Sequence, residues 1–138
     1  WLDRQLERYR QLGFGLWAVI LKQTGEMIGQ CGLTMQPWKG QELLEIGYLF
    51  NRSYWHCGYA TEAARAVLHD AFGRLGLPRV YSFTAAVNLR SERVMRRLGM
   101  RNLGGFDHPA LPVGHLLRRH VLYAAARDTF EGRFSVRP

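Results

Sequence analysis

Apolar residues recur at helical spacing at the start of the chain: Leu2, Leu6, Tyr9 and Leu12 share one side of a segment that Gly13 and Gly15 close. The period then shortens. Residues 16–22 and 27–35 read as two strands about a turn at Thr24-Gly25-Glu26, a hairpin. Residues 37–42 read as a polar loop, and residues 43–50 as a third strand. From about residue 60 to residue 75 the helical period returns, with Ala64, Val67, Leu68, Ala71, Phe72 and Leu75 on one face and Gly76-Leu77-Pro78 as its stop. Residues 79–85 form a strand. Asn88 caps the next helix and Gly99 ends it. Two last strands, 101–106 and 116–124, flank a loop over 107–115. This meander followed by β-α-β-α-β predicts an α/β (α+β) fold, with a mixed, mostly antiparallel central sheet and helices on both faces. No internal repeat or low-complexity segment interrupts it.

The junction between the third strand and the long helix carries the strongest chemical signal. Its sequence is Tyr54-Trp55-His56-Cys57-Gly58-Tyr59-Ala60-Thr61-Glu62. A strand–loop–helix junction with a small-residue turn presents backbone N–H groups and the positive end of a helix dipole, which suit an anion such as phosphate. No Gly-Lys-Ser/Thr triplet follows, so it is no P-loop, and Gly-x-Gly-x-x-Gly is absent. Taken alone, x-x-Gly-x-Ala is equally a tight turn in which Gly58 permits close backbone approach.

Three further segments agree with the first. They are Leu44-Glu45-Ile46-Gly47-Tyr48-Leu49-Phe50, then Asn88-Leu89-Arg90-Ser91 running to Leu98-Gly99-Met100, then His120-Val121-Leu122-Tyr123. In that order they resemble the GCN5-related N-acetyltransferases, or GNAT superfamily, and within them the RimJ/RimL-type branch. The resemblance covers roughly residues 1–127. It implies the GNAT fold and acetyl-CoA as co-substrate, with no metal. It implies pyrophosphate contacts from the amides of Cys57, Gly58, Tyr59, Ala60 and Thr61. The backbone of Leu49 and Phe50 would pair with the pantetheine arm and polarise the thioester carbonyl, and Asn88 would contact the cofactor near its reactive end. The family's usual opening strand and first helix have no counterpart here, so residues 1–138 read as a single domain lacking that opening.

Composition narrows the remaining choices. A chain of 138 residues with 47% hydrophobic content supports a core, and no apolar run approaches the ~20 residues of a membrane span. Its two cysteines, Cys31 and Cys57, make neither a disulfide framework nor a metal-ligand spacing. With no signal peptide in view, the expectation is a cytoplasmic protein, monomeric or homodimeric, with no membrane or DNA partner. The net charge of +8 is concentrated in the second half, where Arg90, Arg93 and Arg97 recur at helical spacing. Such a stripe is a solvated helix face, or a surface for CoA phosphates or a ribosomal partner. No histidine pair has ligand spacing, and no metal is expected.

Acetyl transfer to an amine needs a proton acceptor, a donor for the thioester oxygen, an acid for the leaving thiolate, and fixed orientation. Glu45 is the only carboxylate in an otherwise apolar strand, and Gly47 on the same face leaves room beside it. Burial there would raise its pKa, which makes it the candidate base; many members of the family place a catalytic Glu on this strand. Many also carry a Tyr acid where this chain has Met95, which donates no proton. Ser91 is the nearby hydroxyl, equally a first-turn serine bonded to backbone; Tyr123 and Tyr48 are further candidates. The expectation is therefore direct N-acetylation of a primary amine, on a protein N-terminus such as that of a ribosomal protein or on a small molecule. The alternative is a non-catalytic CoA-binding or ribosome-associated module of the same fold. Retention of acetyl-CoA binding without turnover separates the two.

Overall fold

The computed structural model of the chain describes residues 1–134, so residues 135–138 of the expected single domain lie outside the described residues. The chain divides into two compact units, residues 1–76 and 77–138.

The first unit opens with α1, Leu2–Leu12, closed by Gly13. Its leucine stripe does not bury: Leu2 is 61% exposed, and the buried residue is Gln5. Polar contacts hold the helix instead. The Gln5 Oε1 accepts the Leu16 N–H at 3.0 Å, and the Tyr9 hydroxyl donates to the Leu16 carbonyl at 3.1 Å. Strands β1 (Leu16–Ile20), β2 (Met27–Trp38) and β3 (Gln41–Phe50) follow as an antiparallel meander. The expected polar loop over 37–42 is in fact a continuation of both strands. Lys39 and Gly40 take φ of 45° and 76°, the two consecutive left-handed residues of a type I′ turn, which fits the strand twist and lets the hairpin close in two residues. Pro37 is tolerated because β1 pairs only as far as Gly32, leaving that end of β2 an edge.

A short 3₁₀ turn, Arg52–Tyr54, leads to α2, Tyr59–Phe72. Its Ala64, Val67, Leu68, Ala71 and Phe72 are buried as expected, and the helix lies against β2 and β3. It stops three residues before the expected end. Gly73 donates to His69 O, Leu75 N–H reaches back to Asp70 O, and Arg74 ties Asp70 to the Gly13 carbonyl, which turns the chain off the helix axis.

The second unit contains β4 (Arg79–Ala85), α3 (Leu89–Arg97), β5 (Arg101–Asp107), β6 (Arg119–Ala126) and α4 (Arg127–Phe134). β6 lies between β4 and β5, antiparallel to both. α3 packs on β4 and α4 on β6. β6 begins later than expected because residues 108–118 make local turns, in which His108 and His115 accept the N–H groups of Ala110 and Leu117 on their Nδ1 atoms. α4 was not expected. Its Gly132 and mixed polarity hide the period, and Phe130 anchors it. Among the described residues, four α-helices and six strands make the α/β class that the pattern predicts.

Candidate active site

On β3 the side chains alternate. Ile46 and Phe50 are buried on one face, while Glu45, Gly47 and Leu49 share the other. Glu45 is largely buried, its Oε2 has no hydrogen-bond partner, and burial pushes its carboxyl up to about 7. A charge that nothing neutralises costs less when protonated. Gly47 leaves the room expected of it: a Cβ there would sit 3.3 Å from Glu45 Oε1.

The phase of the ladder decides which backbone groups β3 can offer. Asn51 N–H donates to Ile28 O at 2.9 Å, so Asn51 and Ile28 are a hydrogen-bonded pair. By alternation Leu49 is also a hydrogen-bonded partner, of Gln30, while Phe50 is not paired to Gly29 in this way. Leu49 therefore turns its N–H and C=O toward β2 and has neither for a ligand, contrary to expectation. Phe50 turns its groups away from β2, and its carbonyl accepts the Trp55 indole N–H at 3.0 Å.

That indole contact anchors the turn leading into α2. Asn51 Oδ1 accepts the Ser53 N–H, and the Tyr54 hydroxyl donates to Glu26 at 2.7 Å. His56 and Gly58 take φ of 63° and 82°, left-handed positions that turn successive amides into a concave nest. Gly58 is the N-cap and supplies no side chain, and none other caps the helix. The N–H groups of Tyr59, Ala60 and Thr61 accordingly have no intrahelical acceptor. Thr61 is buried and its Oγ1 lacks a partner, an orphaned hydroxyl in the same first turn. Cys57 is exposed, its thiol directed at Trp55 O.

In the second unit Asn88 Oδ1 accepts the Ser91 N–H at 3.2 Å, the expected cap; its amide NH2 is what remains for another acceptor. Ser91 lies half-buried at the start of α3, and Met95 is fully buried in the core. Tyr123 does not suit the role of acid. Its hydroxyl donates to Glu92 at 2.7 Å and accepts from Arg96 and Asn102, a closed network beneath α3. Burial and the Glu92 bond raise its pKa, so the proton is held there. Tyr48 lies on the opposite face of β3 from Glu45. Arg90, Arg93 and Arg97 are exposed along α3. The sequence reading passed over Thr34 and Gln36, which share the face of Glu45. Only the register of β2 against β3 reveals them.

The chain and its architecture match a known family. Residues 1–101 fit the acetyltransferase (GNAT) domain model, and the chain belongs to that family. It is 37% identical over 100 residues to the uncharacterized protein YkkB of Bacillus subtilis, covering 72% of this chain and 58% of the relative. It is 36% identical over 110 residues to the uncharacterized N-acetyltransferase YnaD of the same organism, covering 80% and 63%. The chain thus spans about six tenths of the length of these curated relatives. A GNAT acetyltransferase from Bacillus anthracis superposes with a TM-score of 0.68 at 32% identity, over 82% of this chain and 66% of that one. The ribosomal-protein-S5-alanine acetyltransferase of Vibrio fischeri has a TM-score of 0.78 at 19% identity, over 94% and 70%, a likeness of fold alone.

Proposed function

We propose that the protein is an N-acetyltransferase that moves an acetyl group from acetyl-CoA directly to a primary amine, on a protein N-terminus or a small molecule. The carrying observation is Glu45, a buried carboxylate with an orphaned oxygen and a pKa of about 7. A structural carboxylate would be paired or solvated; a base that works near neutral pH needs this setting. The nest at His56–Gly58 and the first turn of α2 support a pyrophosphate site made of the amides of residues 57–61.

Acetyl-CoA supplies the acetyl group as a thioester. Glu45 takes a proton from the acceptor ammonium, leaving a neutral amine to attack. The Phe50 N–H, directed away from β2, is the donor for the thioester oxygen. Asn88 and Ser91 keep the roles that the family resemblance implies for them, a cofactor contact through the Asn88 NH2 and the acid for the departing thiolate at Ser91. Met95, which stands where many members of the family have tyrosine, is buried in the core and donates no proton.

The test is Glu45→Gln against a panel of amines (an Ala- or Ser-initiated peptide, a polyamine, an aminoglycoside), read by thiol release. Turnover is expected to fall by roughly 10²–10⁴-fold with acetyl-CoA affinity little changed. Unchanged turnover would remove Glu45 from the mechanism.

A further inference from the structure

The nest at His56–Gly58 is strained and makes few contacts of its own. His56 stands at φ 63°, a left-handed position that a residue other than glycine keeps only where its surroundings impose it. Among the described residues, the side chains of the nest make one hydrogen bond, from the Cys57 thiol to Trp55 O. The loop is held from its ends instead, and Tyr54 takes part at both. Tyr54 precedes the nest, and Tyr59, the first residue of α2, follows it. Their rings meet with centroids 6.3 Å apart and planes tilted by 56°, within the range of a favourable aromatic pair. That contact closes the segment 54–59 at its base. The Tyr54 hydroxyl reaches the turn between β1 and β2, where it donates to Glu26 Oε2 at 2.7 Å; a bond to a carboxylate is stronger than one between neutral groups. Glu26 is itself held. Its carbonyl accepts the Leu21 N–H at 2.8 Å and its N–H donates to Thr24 Oγ1 at 3.3 Å, so that turn is closed by its own bonds. One side chain thus joins a closed hairpin turn, the start of the loop and the first turn of α2, all within the first unit.

We propose that Tyr54 is a positioning residue for the cofactor: its ring clasps Tyr59 and its hydroxyl ties the loop to Glu26, which together hold the His56–Gly58 backbone in the conformation that receives the pyrophosphate. This rests on the reading of that turn as the pyrophosphate site. A ligand that meets amides already in place has no loop to order, so each restraint on the free loop appears in its affinity. The clasp acts on binding and not on the acetyl transfer itself. An acetyl donor without a pyrophosphate does not depend on it.

The experiment is calorimetric titration of acetyl-CoA, beside turnover with acetyl-CoA and with S-acetylpantetheine, an acetyl thioester that lacks the pyrophosphate. Tyr54→Phe keeps the ring and removes the hydroxyl. It should weaken acetyl-CoA binding about 3- to 10-fold. The ratio of kcat/KM for acetyl-CoA to kcat/KM for S-acetylpantetheine should fall by the same factor; a variant that is merely less well folded lowers both alike and leaves the ratio where it was. Tyr54→Leu, which loses the ring contact as well, should weaken binding further. Glu26→Gln keeps an oxygen that can accept from the hydroxyl and should retain most of the affinity, whereas Glu26→Ala should lose it. Combined with Tyr54→Phe, Glu26→Ala should add no further loss, since the two groups act as one contact. Equal affinity in the parent and Tyr54→Phe, or a ratio that does not move, overturns the proposal and leaves the pyrophosphate reading standing. A parent that does not bind acetyl-CoA removes that reading, and the clasp with it.

Discussion

A carboxylate whose pKa rises on folding must make the fold less stable as pH rises, and Glu45 allows the size of that effect to be worked out. Its pKa goes from 4.5 to about 7 on burial. Below pH 4.5 the group is protonated in both states and costs nothing. Between there and pH 7 the native state holds a proton that the unfolded chain has released, so stability falls through that window and levels off above pH 7. At 1.36 kcal/mol per pH unit the full loss is about 3 kcal/mol. Glu45→Gln carries no such charge. Its advantage over the parent should widen by roughly 2–3 kcal/mol between pH 5 and pH 8.5, on the order of 10 °C in Tm for a chain of this size. The assay is urea unfolding of both proteins across that range, with thermal melts alongside. Parallel stability curves would refute the reasoning, because they would mean that Glu45 is solvated or paired and that its pKa is ordinary. The same titration should place the acid limb of turnover near pH 7, with about tenfold less activity at pH 6 than at pH 8.

Thr61→Val removes a buried hydroxyl that has no partner. It should stabilise the protein by about 1 kcal/mol and leave acetyl-CoA affinity unchanged, read by melting and calorimetry; a destabilised variant would mean that the hydroxyl is satisfied in solution. Tyr123→Phe breaks the network that joins Glu92, Arg96 and Asn102. It should cost about 1–3 kcal/mol in urea unfolding and leave acetyl-CoA affinity unchanged, whereas lost turnover without lost stability would restore Tyr123 as a candidate acid.

Local chemistry made much of this fold legible in the sequence. β4 and both ends of α3 follow from alternation, the Asn88 cap and Gly99. The buried face of α2 follows from its period. Glu45 could be singled out because a lone carboxylate in an apolar strand has few reasons to be there. What escaped depended on information that is not local. The Lys39-Gly40 turn was missed because its signal is one glycine, and Pro37 pointed the wrong way. The stripe on α1 misled because Gln5 and Tyr9, rather than the leucines, make the contacts with Leu16. Leu49 was lost as a ligand group because hydrogen-bond phase is set by the partner strand. Thr34 and Gln36 were invisible for the same reason, since their nearness to Glu45 exists only in the register.

The central claim is that the turn into α2 holds acetyl-CoA, and calorimetric titration of acetyl-CoA into the chain tests it most directly, with desulfo-CoA and ATP as controls. Gly58 sits at φ 82°, where a β-branched residue is strained, so Gly58→Val should distort the nest without a clash elsewhere. Micromolar-range binding by the parent and its loss in Gly58→Val is the result this account predicts; no binding by the parent, or binding indifferent to Gly58→Val, would contradict it.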